Sequence, residues 1–357
     1  MGRRKFFFLY PPALIYKIIT DVRNLLYDKG ILPSRRFSIP IICVGNITVG
    51  GTGKTPLTEY LAGLLSGRFR TAVLSRGYKR RSAGFRIVTP DSTAEMAGDE
   101  PLQISRKFPD IIVAVDKNRV EGVKTILREY PETEVIILDD GFQHRKIEPG
   151  LSILLYDFNR PVVKDHLLPY GNLRESRINI KRADVVIVTK SPESLSAASK
   201  DAIAGDIRKY NGQLPLFTSI SYGNLLPVFK GQGETGPGLS DIDSRQSGAV
   251  LITGIAAPEP LKELVEKHFN EVIHLAFPDH HWFVQKDIER IQKSADALSS
   301  EKKFLITTSK DAVRLSEFIN IDPLKKIFYY VPVTVRFPDD DKARFDKLII
   351  EYAGKHK

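Results

Sequence analysis

The stretch Thr48-Val49-Gly50-Gly51-Thr52-Gly53-Lys54-Thr55 carries the glycines, lysine and hydroxyl that a phosphate-binding loop needs. Glycines let backbone amides close around phosphate oxygens, and the following helix start adds its positive end. Lys54 reaches the β- and γ-phosphates, and the Thr55 hydroxyl is a magnesium ligand. Thr48 stands where the pattern usually has its first glycine. An apolar β-rich run, Ile39 to Val44, precedes the loop and a helical pattern with Pro56 in its first turn follows it. That context separates a P-loop from a chance Gly-rich turn. Asp139 and Asp140 close a second apolar run, Val135 to Leu138. Ligands gather at the carboxyl ends of such strands, and one such aspartate holds magnesium in P-loop enzymes. Adjacent acids also serve as surface turn residues, but beside a P-loop the metal-holding reading is favoured.

The elements that must position these groups follow from hydrophobic runs. Residues 71–74, 111–115, 153–155 and 185–188 are further short apolar runs, and helical patterns cover 56–65 and 120–129. Buried strands alternating with helices specify a parallel sheet covered on both faces. Gly231 to Gly238 interrupts the alternation as a linker or loop. It then resumes with strands at 249–253, 272–275 and 304–307 and helices at 260–269 and 284–298. The expected architecture is α/β, a P-loop NTPase-type parallel sheet domain with a second, smaller α/β domain. Residues 39–220 form the first, and residues 221–357 the second with its linker.

Composition bounds the function classes. The 357 residues include 53 lysines and arginines against 43 acids, a net charge of +10, with 42% hydrophobic and 27% charged residues. This balance excludes a disordered chain, a collagen and a polytopic membrane protein. One cysteine, Cys43, allows neither an intrachain disulfide nor a multi-cysteine zinc site and suits a reducing compartment. The basic excess predicts an acidic partner: nucleic acid, nucleotide phosphate or anionic lipid. No aromatic-and-basic stacking platform or DNA-binding fold is visible, so nucleic acid is not expected.

Residues 1–38 read as an amphipathic, membrane-associating segment. Arg3, Arg4 and Lys5 precede Phe6, Phe7 and Phe8, and Leu14, Ile15, Ile18, Ile19, Val22, Leu25 and Leu26 follow at helical spacing. The uncharged run Phe6 to Tyr16 holds eleven residues and two prolines, short of the ~20 needed to span a bilayer. No small-residue cleavage site marks a secretory signal. An interfacial anchor would use such residues; a helix packing its apolar face on the protein body fits the pattern equally well.

Five further motifs discriminate among P-loop proteins: Ser75-Arg76-Gly77-Tyr78-Lys79, Gly98-Asp99-Glu100-Pro101, Asp139-Asp140-Gly141-Phe142-Gln143-His144, Gly171-Asn172-Leu173-Arg174-Glu175 and Asp279-His280-His281. With Gly45-Asn46-Ile47 leading into the P-loop, these motifs resemble the tetraacyldisaccharide 4'-kinase family of lipid A biosynthesis over essentially the whole chain. A threonine or serine at the first P-loop position is normal in that family. The resemblance implies transfer of the γ-phosphate of ATP, with Mg2+, to the 4'-hydroxyl of a lipid A disaccharide 1-phosphate precursor, at the cytoplasmic face of the inner membrane. Anionic inner-membrane lipid is then a partner, and no obligate protein partner is inferred.

Residue by residue, Asp99 matches the family's catalytic base and His280 its partner. Lys54 joins them in catalysis; residues Thr48, Val49, Gly50, Gly51, Thr52, Gly53, Lys54 and Thr55 hold ATP; Thr55, Asp139 and Asp140 serve the metal. Asn46, Arg76, Tyr78, Gln143, Arg174 and Glu175 are expected on the substrate side. Taken alone, Asp99 also reads as a first-turn helix acid, and His280 as a packed or surface histidine. Arg76, Lys79, Arg80 and Arg81 suit phosphate contacts or a solvated basic loop, and His144 a turn cap. His274, His280 and His281 lack the spacing of a helical zinc site. Thr307-Thr308-Ser309-Lys310-Asp311 resembles a family stretch and is expected near the nucleotide base; its spacing does not match the guanine-reading motif. Ala257 stands where the family carries asparagine. A nucleotide-gated switch or assembly ATPase is the alternative, and it would not require Asp99 with His280.

Overall fold

The structure, a computed structural model, describes residues 7–212, 214–229, 235–318 and 322–355. Arg3, Arg4, Lys5 and Phe6 of the N-terminal basic-aromatic cluster, and residues 231–234 of the expected linker, lie outside the described residues. The first sheet comprises β1 (Ile41–Gly45), β2 (Thr71–Ser75), β3 (Arg86–Ile87), β4 (Ile112–Val115), β5 (Val135–Leu138), β6 (Leu151–Asp157), β7 (Val185–Thr189) and β8 (Leu216–Phe217). Their spatial order is β3-β4-β2-β5-β1-β6-β7-β8, all parallel except edge strand β3. β1, β2, β5, β6 and β7 are buried along their whole length. That is why they read as continuous apolar runs instead of alternating ones.

The second sheet takes β10 (Leu226–Pro227), β11 (Ser247–Thr253), β12 (Glu271–Ala276), β13 (Lys302–Thr308) and β14 (Phe328–Val331) in the order β10-β14-β13-β11-β12. A separate ribbon pairs β9 (Ser219–Tyr222) antiparallel with β15 (Val333–Arg336). The chain leaves the first sheet through β9 and returns through β15, so the two crossings lie side by side.

The helices are α1 (Tyr10–Asp28), α2 (Lys54–Ser66), α3 (Ala94–Ala97), α4 (Asp99–Lys107), α5 (Arg119–Glu129), α6 (Ala197–Asn211), α7 (Glu259–His268), α8 (Gln285–Ala297), α9 (Ser309–Leu315), α10 (Asp322–Lys325) and α11 (Asp339–Gly354). The division of the sequence at residue 220 does not anticipate α11. Its buried Phe345, Ile349 and Ala353 join Leu57, Leu61 and Ile137 in the core of the first domain. The Tyr352 hydroxyl donates to the Ile41 carbonyl at 3.1 Å. Each fully buried large side chain contributes about 2 kcal/mol, so the C-terminal helix clamps the first domain after the excursion through the second.

Helix α1 settles which of its faces meets the body. Ala13, Asn24 and Tyr27 are its buried residues. Its polar contacts run inward, from the Tyr16 hydroxyl to the Arg174 carbonyl at 2.8 Å and from Asn24 to Glu175 at 3.1 Å. Leu14, Ile15, Ile18, Ile19, Val22 and Leu25 are instead 49–61% exposed. A helix packing its apolar face on the body is therefore corrected: the apolar face points outward. No helix among the described residues is long and apolar enough to cross a membrane.

Candidate active site

The phosphate loop links β1 to α2. Gly50 and Gly53 take φ of +98° and +86°, a region closed to most side chains, and helix α2 starts at Lys54. Asn46, fully buried, donates from Nδ2 to Thr52 Oγ1 at 2.7 Å and reaches Thr48 Oγ1 at 3.5 Å, bracing the loop from below. Two residues not singled out in the sequence brace it from the side. The Thr189 hydroxyl donates to the Thr52 carbonyl at 2.9 Å; the Lys190 ammonium donates to the Gly51 carbonyl and sits 2.8 Å from buried Asp157. Both stand at the carboxyl end of β7, a strand end in the ligand-binding crevice of a parallel sheet, and that position was the available signal.

Asp139 and Asp140 occupy different environments. Asp139 is 1% exposed and accepts from the Thr58 hydroxyl at 3.2 Å and the Ser75 hydroxyl at 3.1 Å. Burial, with the fields of Glu100 and Asp140, pushes its carboxyl up to about 6 against the opposing pull of Lys54. Asp140, at φ +49°, lies 3.7 Å from the Lys54 ammonium and takes both Arg174 Nη1 contacts at 3.0 Å. Burial works to raise its carboxyl too, but Lys54 and Arg174 outweigh it and hold Asp140 below the usual range. Neighbouring carboxyls pushed in opposite directions are a pattern that acid–base and metal sites share. Arg119, 2% exposed and also missed in the sequence, reaches the Asp139 carbonyl at 3.3 Å. Burial pushes the Cys43 thiol up to about 12, so it is no nucleophile.

The second group of residues spans both domains. Gly98, at φ +86°, turns the chain into α4, and a side chain there would meet the Tyr78 carbonyl at 3.1 Å. Asp99 opens α4, 6% exposed, with Oδ2 at 2.9 Å from His280 Nδ1 and 3.5 Å from Arg314 Nη1. The Tyr78 ring sits edge-on to His280 at 5.1 Å between centroids. Ser75 joins the halves: its hydroxyl holds Asp139, and the loop that follows it packs on Gly98. Among the described residues, the four non-glycine positions of positive φ are Lys79, Asp140, Lys190 and His280. Each is part of this site or touches it, through Asp279 for Lys79 and Gly51 for Lys190. Strained backbone concentrates where geometry has a purpose.

The remaining expectations sort by place. Gln143 Nε2 donates to the Asn46 carbonyl at 2.7 Å and to Glu175 at 2.8 Å, and buried Glu175 also takes Arg182 at 2.6 Å. Asn46, Gln143 and Glu175 thus form a frame under the loop, whereas Arg76 and Tyr78 are exposed above it. Lys310 and Asp311, expected near the nucleotide base, stand beside the Asp99–His280 pair. Lys310 lies 2.8 Å from His280 Nε2, and Asp311 is buried beneath Gly254, because α9, which follows β13, packs against α4. His281 pairs with Asp287 at 2.8 Å and His274 with Thr253 at 2.9 Å. No cluster of three or more metal-ligating His, Cys, Asp or Glu is found among the described residues. Ala257 is exposed next to Pro258.

A parallel sheet carrying a braced P-loop, a carboxylate pair at the adjacent strand end and a carboxylate–imidazole pair facing them define a P-loop kinase. Comparisons with known proteins narrow this class. The family model described as tetraacyldisaccharide-1-P 4'-kinase matches residues 6–352. A protein of Bacteroides thetaiotaomicron named tetraacyldisaccharide 4'-kinase is 42% identical, the match covering 98% of this chain and 93% of that one. One of Phocaeicola vulgatus with the same name is 43% identical over 98% and 95%. The crystal structure of LpxK from Aquifex aeolicus in complex with ATP matches with a TM-score of 0.73 at 30% identity, covering 96% of this chain and 97% of that one. The chain belongs to the tetraacyldisaccharide-1-P 4'-kinase family.

Proposed function

We propose that the enzyme moves the γ-phosphate of ATP onto the 4'-hydroxyl of a tetraacyldisaccharide 1-phosphate. The observation that carries this reading is the Asp99–His280 pair, 2.9 Å apart and brought together from two domains beside the P-loop sheet. A nucleotide-gated switch has no use for such a base. The P-loop amides and Lys54 cradle the β- and γ-phosphates. Asp99 Oδ2 is taken by His280 and Arg314, and among the described residues no partner occupies Oδ1. Oδ1 accepts the hydroxyl proton while the sugar oxygen bonds to the γ-phosphorus and the bond to the β–γ bridging oxygen breaks, releasing ADP. His280 holds Asp99 in orientation, and Arg76, Tyr78 and Arg174 face the phosphates and the acceptor.

Thr55, Asp139 and Asp140 would hold Mg2+. The donor set fits, because this ion takes one or two carboxylates and completes its shell with phosphates and water, and the two adjacent carboxylates directly follow β5, the strand paired with β1 of the loop. When bound, the ion neutralises charge on the transferring phosphoryl group.

The outward apolar face of α1, with Lys17 exposed on the same helix and Lys29 exposed at its C-terminal end, supports peripheral association with anionic lipid at the cytoplasmic face of the inner membrane. A groove of about 440 Å³ between α1 and the segments on either side of Arg174, lined by Tyr10, Leu14, His166, Tyr170 and Ile178, offers an apolar wall near the site. The test is transfer of label from γ-labelled ATP to tetraacyldisaccharide 1-phosphate in detergent, with Asp99→Asn alongside. Labelled lipid from the parent alone is expected; ATP consumption without labelled lipid from the parent would refute the reading.

A further inference from the structure

Helix α9 faces the Asp99–His280 pair with two cations one turn apart. Lys310 and Arg314 are i and i+4 and share a helix face. Lys310 Nζ lies 2.8 Å from His280 Nε2, 3.5 Å from Asp279 Oδ1 and 3.9 Å from Glu100 Oε1. Arg314, 2% exposed, reaches Asp99 at 3.5 Å and is bound on its other side by Asp311. Asp311 is fixed in turn, its Oδ2 accepting from the Gly254 amide at 2.8 Å and the Thr308 hydroxyl at 2.7 Å. The Gly254 carbonyl also receives the His280 backbone N–H at 3.0 Å. The helix and the histidine are therefore tied to one turn of β11, and the Lys310-to-imidazole distance is set by backbone on both sides.

Donor and acceptor inventory then fixes the proton. An ammonium donates three hydrogens and accepts none, and a carboxylate only accepts. An imidazole between Lys310 at Nε2 and Asp99 at Nδ1 satisfies both only as the neutral tautomer, with hydrogen on Nδ1 and a lone pair on Nε2. The groups facing His280 are Asp99 and, beyond it, Glu100 from α4, Tyr78 from the loop after β2, its neighbour Asp279, and Lys310 with Arg314 from α9. Without the ammonium, Nε2 is open to a proton from solvent, 3.9 Å from Asp279 Oδ1. An imidazolium beside Asp99 stabilises its carboxylate and makes it a poorer proton acceptor.

We propose that Lys310 is a positioning residue that acts through His280: by occupying Nε2 it keeps the imidazole neutral and Nδ1-protonated, which preserves the basicity of Asp99 and leaves Oδ1 for the sugar hydroxyl. This deepens the kinase reading and rests on it. No local pattern around Lys310 shows this contact, because α9's approach to α4 is a tertiary fact.

The experiment compares full-length parent, Lys310→Met, Lys310→Arg and Asp99→Asn, using ATP and tetraacyldisaccharide 1-phosphate in detergent. Lys310→Met is expected to lower kcat about 10- to 100-fold at neutral pH, with KM for ATP within about twofold. Its acid limb should move to higher pH as the imidazolium persists, so the deficit shrinks in alkali. Lys310→Arg, again a pure donor, should restore most of kcat. Nitrogen-15 spectra of ring-labelled protein, assigned with His280→Gln, should show Nε2 unprotonated in the parent near neutral pH and protonated in Lys310→Met. Parental kcat in Lys310→Met, or a loss of kcat with an unmoved acid limb and an unprotonated Nε2, overturns the proposal. Asp99→Asn separates the two levels: if it keeps parental turnover, the base assignment fails whatever Lys310 does. If it is inactive while Lys310→Met is normal, only the role of Lys310 falls.

Discussion

The two halves of the active site are held together by different means. The phosphate half is local: the P-loop, Thr58 and the two aspartates come from adjacent strands β1 and β5 and the helix between β1 and β2, and one sheet sets all their spacings. The base half joins Asp99 on the first domain to His280, Lys310 and Arg314 on the second, across a connection of two antiparallel strands. A site built on one sheet is preformed. One built across two domains exists only while they are apposed, so the proton transfer proposed for Asp99 would depend on contacts far from the chemistry.

The harshest way to break the local half is to remove its cation. Lys54→Ala should lower kcat about 1,000-fold or more, since in the proposed reaction the ammonium reaches the transferring phosphate and it also offsets Asp140 at 3.7 Å. Retention of parental kcat in a steady-state assay would remove Lys54 from the mechanism. In the divided half, Asp99→Asn should cost about 100- to 10,000-fold and His280→Ala less, with KM for ATP nearly unchanged in both. The contrast is sharpened by asking where KM moves: a parallel rise in KM for ATP with the loss in kcat would mean that the second domain shapes nucleotide binding as well.

Legibility in the sequence follows the same division. Thr48 to Thr55 and Asp139-Asp140 announce themselves because a P-loop is one contiguous turn and its acids end a neighbouring apolar strand. The strands themselves were readable because complete burial makes them continuous apolar runs, as at Val135–Leu138 and Val185–Thr189. Asp99 and His280 are 181 positions apart, and only the motif resemblance joined them. Thr189, Lys190 and Arg119 escaped notice because a lone hydroxyl or cation at a strand or helix end has no local pattern that says what it will touch. The outward turn of α1 was undecidable too: an amphipathic helix shows its apolar stripe in sequence but not which side meets the body.

That stripe allows a third, smaller effect. Replacing Ile15, Ile18 and Ile19 by serine removes apolar area that is largely exposed on the outward face. Sedimentation with anionic vesicles should fall about tenfold or more, while kcat in detergent stays within about twofold of the parent. Unchanged vesicle binding would show that α1 is not the anchor, and a fall in detergent activity would tie it to the groove beside Arg174.

The smallest expected effect concerns stability within the local half. Burial, reinforced by the positive fields of Arg119, Arg76 and Arg23, lowers His144 to about 4 from its ordinary 6.5, against the pull of Asp140. A depressed histidine means that the unfolded chain binds the proton more readily than the native one between those two values. The slope of unfolding free energy against pH is therefore positive there: the native state is favoured fully above about 6.5 and loses that share as pH falls towards 4. At a partly buried position the share is about 2 kcal/mol after solvent screening. Urea unfolding of parent and His144→Gln at pH 7.5 and pH 5 should show the parent losing about that much more than the variant. Equal losses would mean that the imidazole is free to charge in the folded protein, and that the cations around Asp140 leave more room for solvent than their spacing implies.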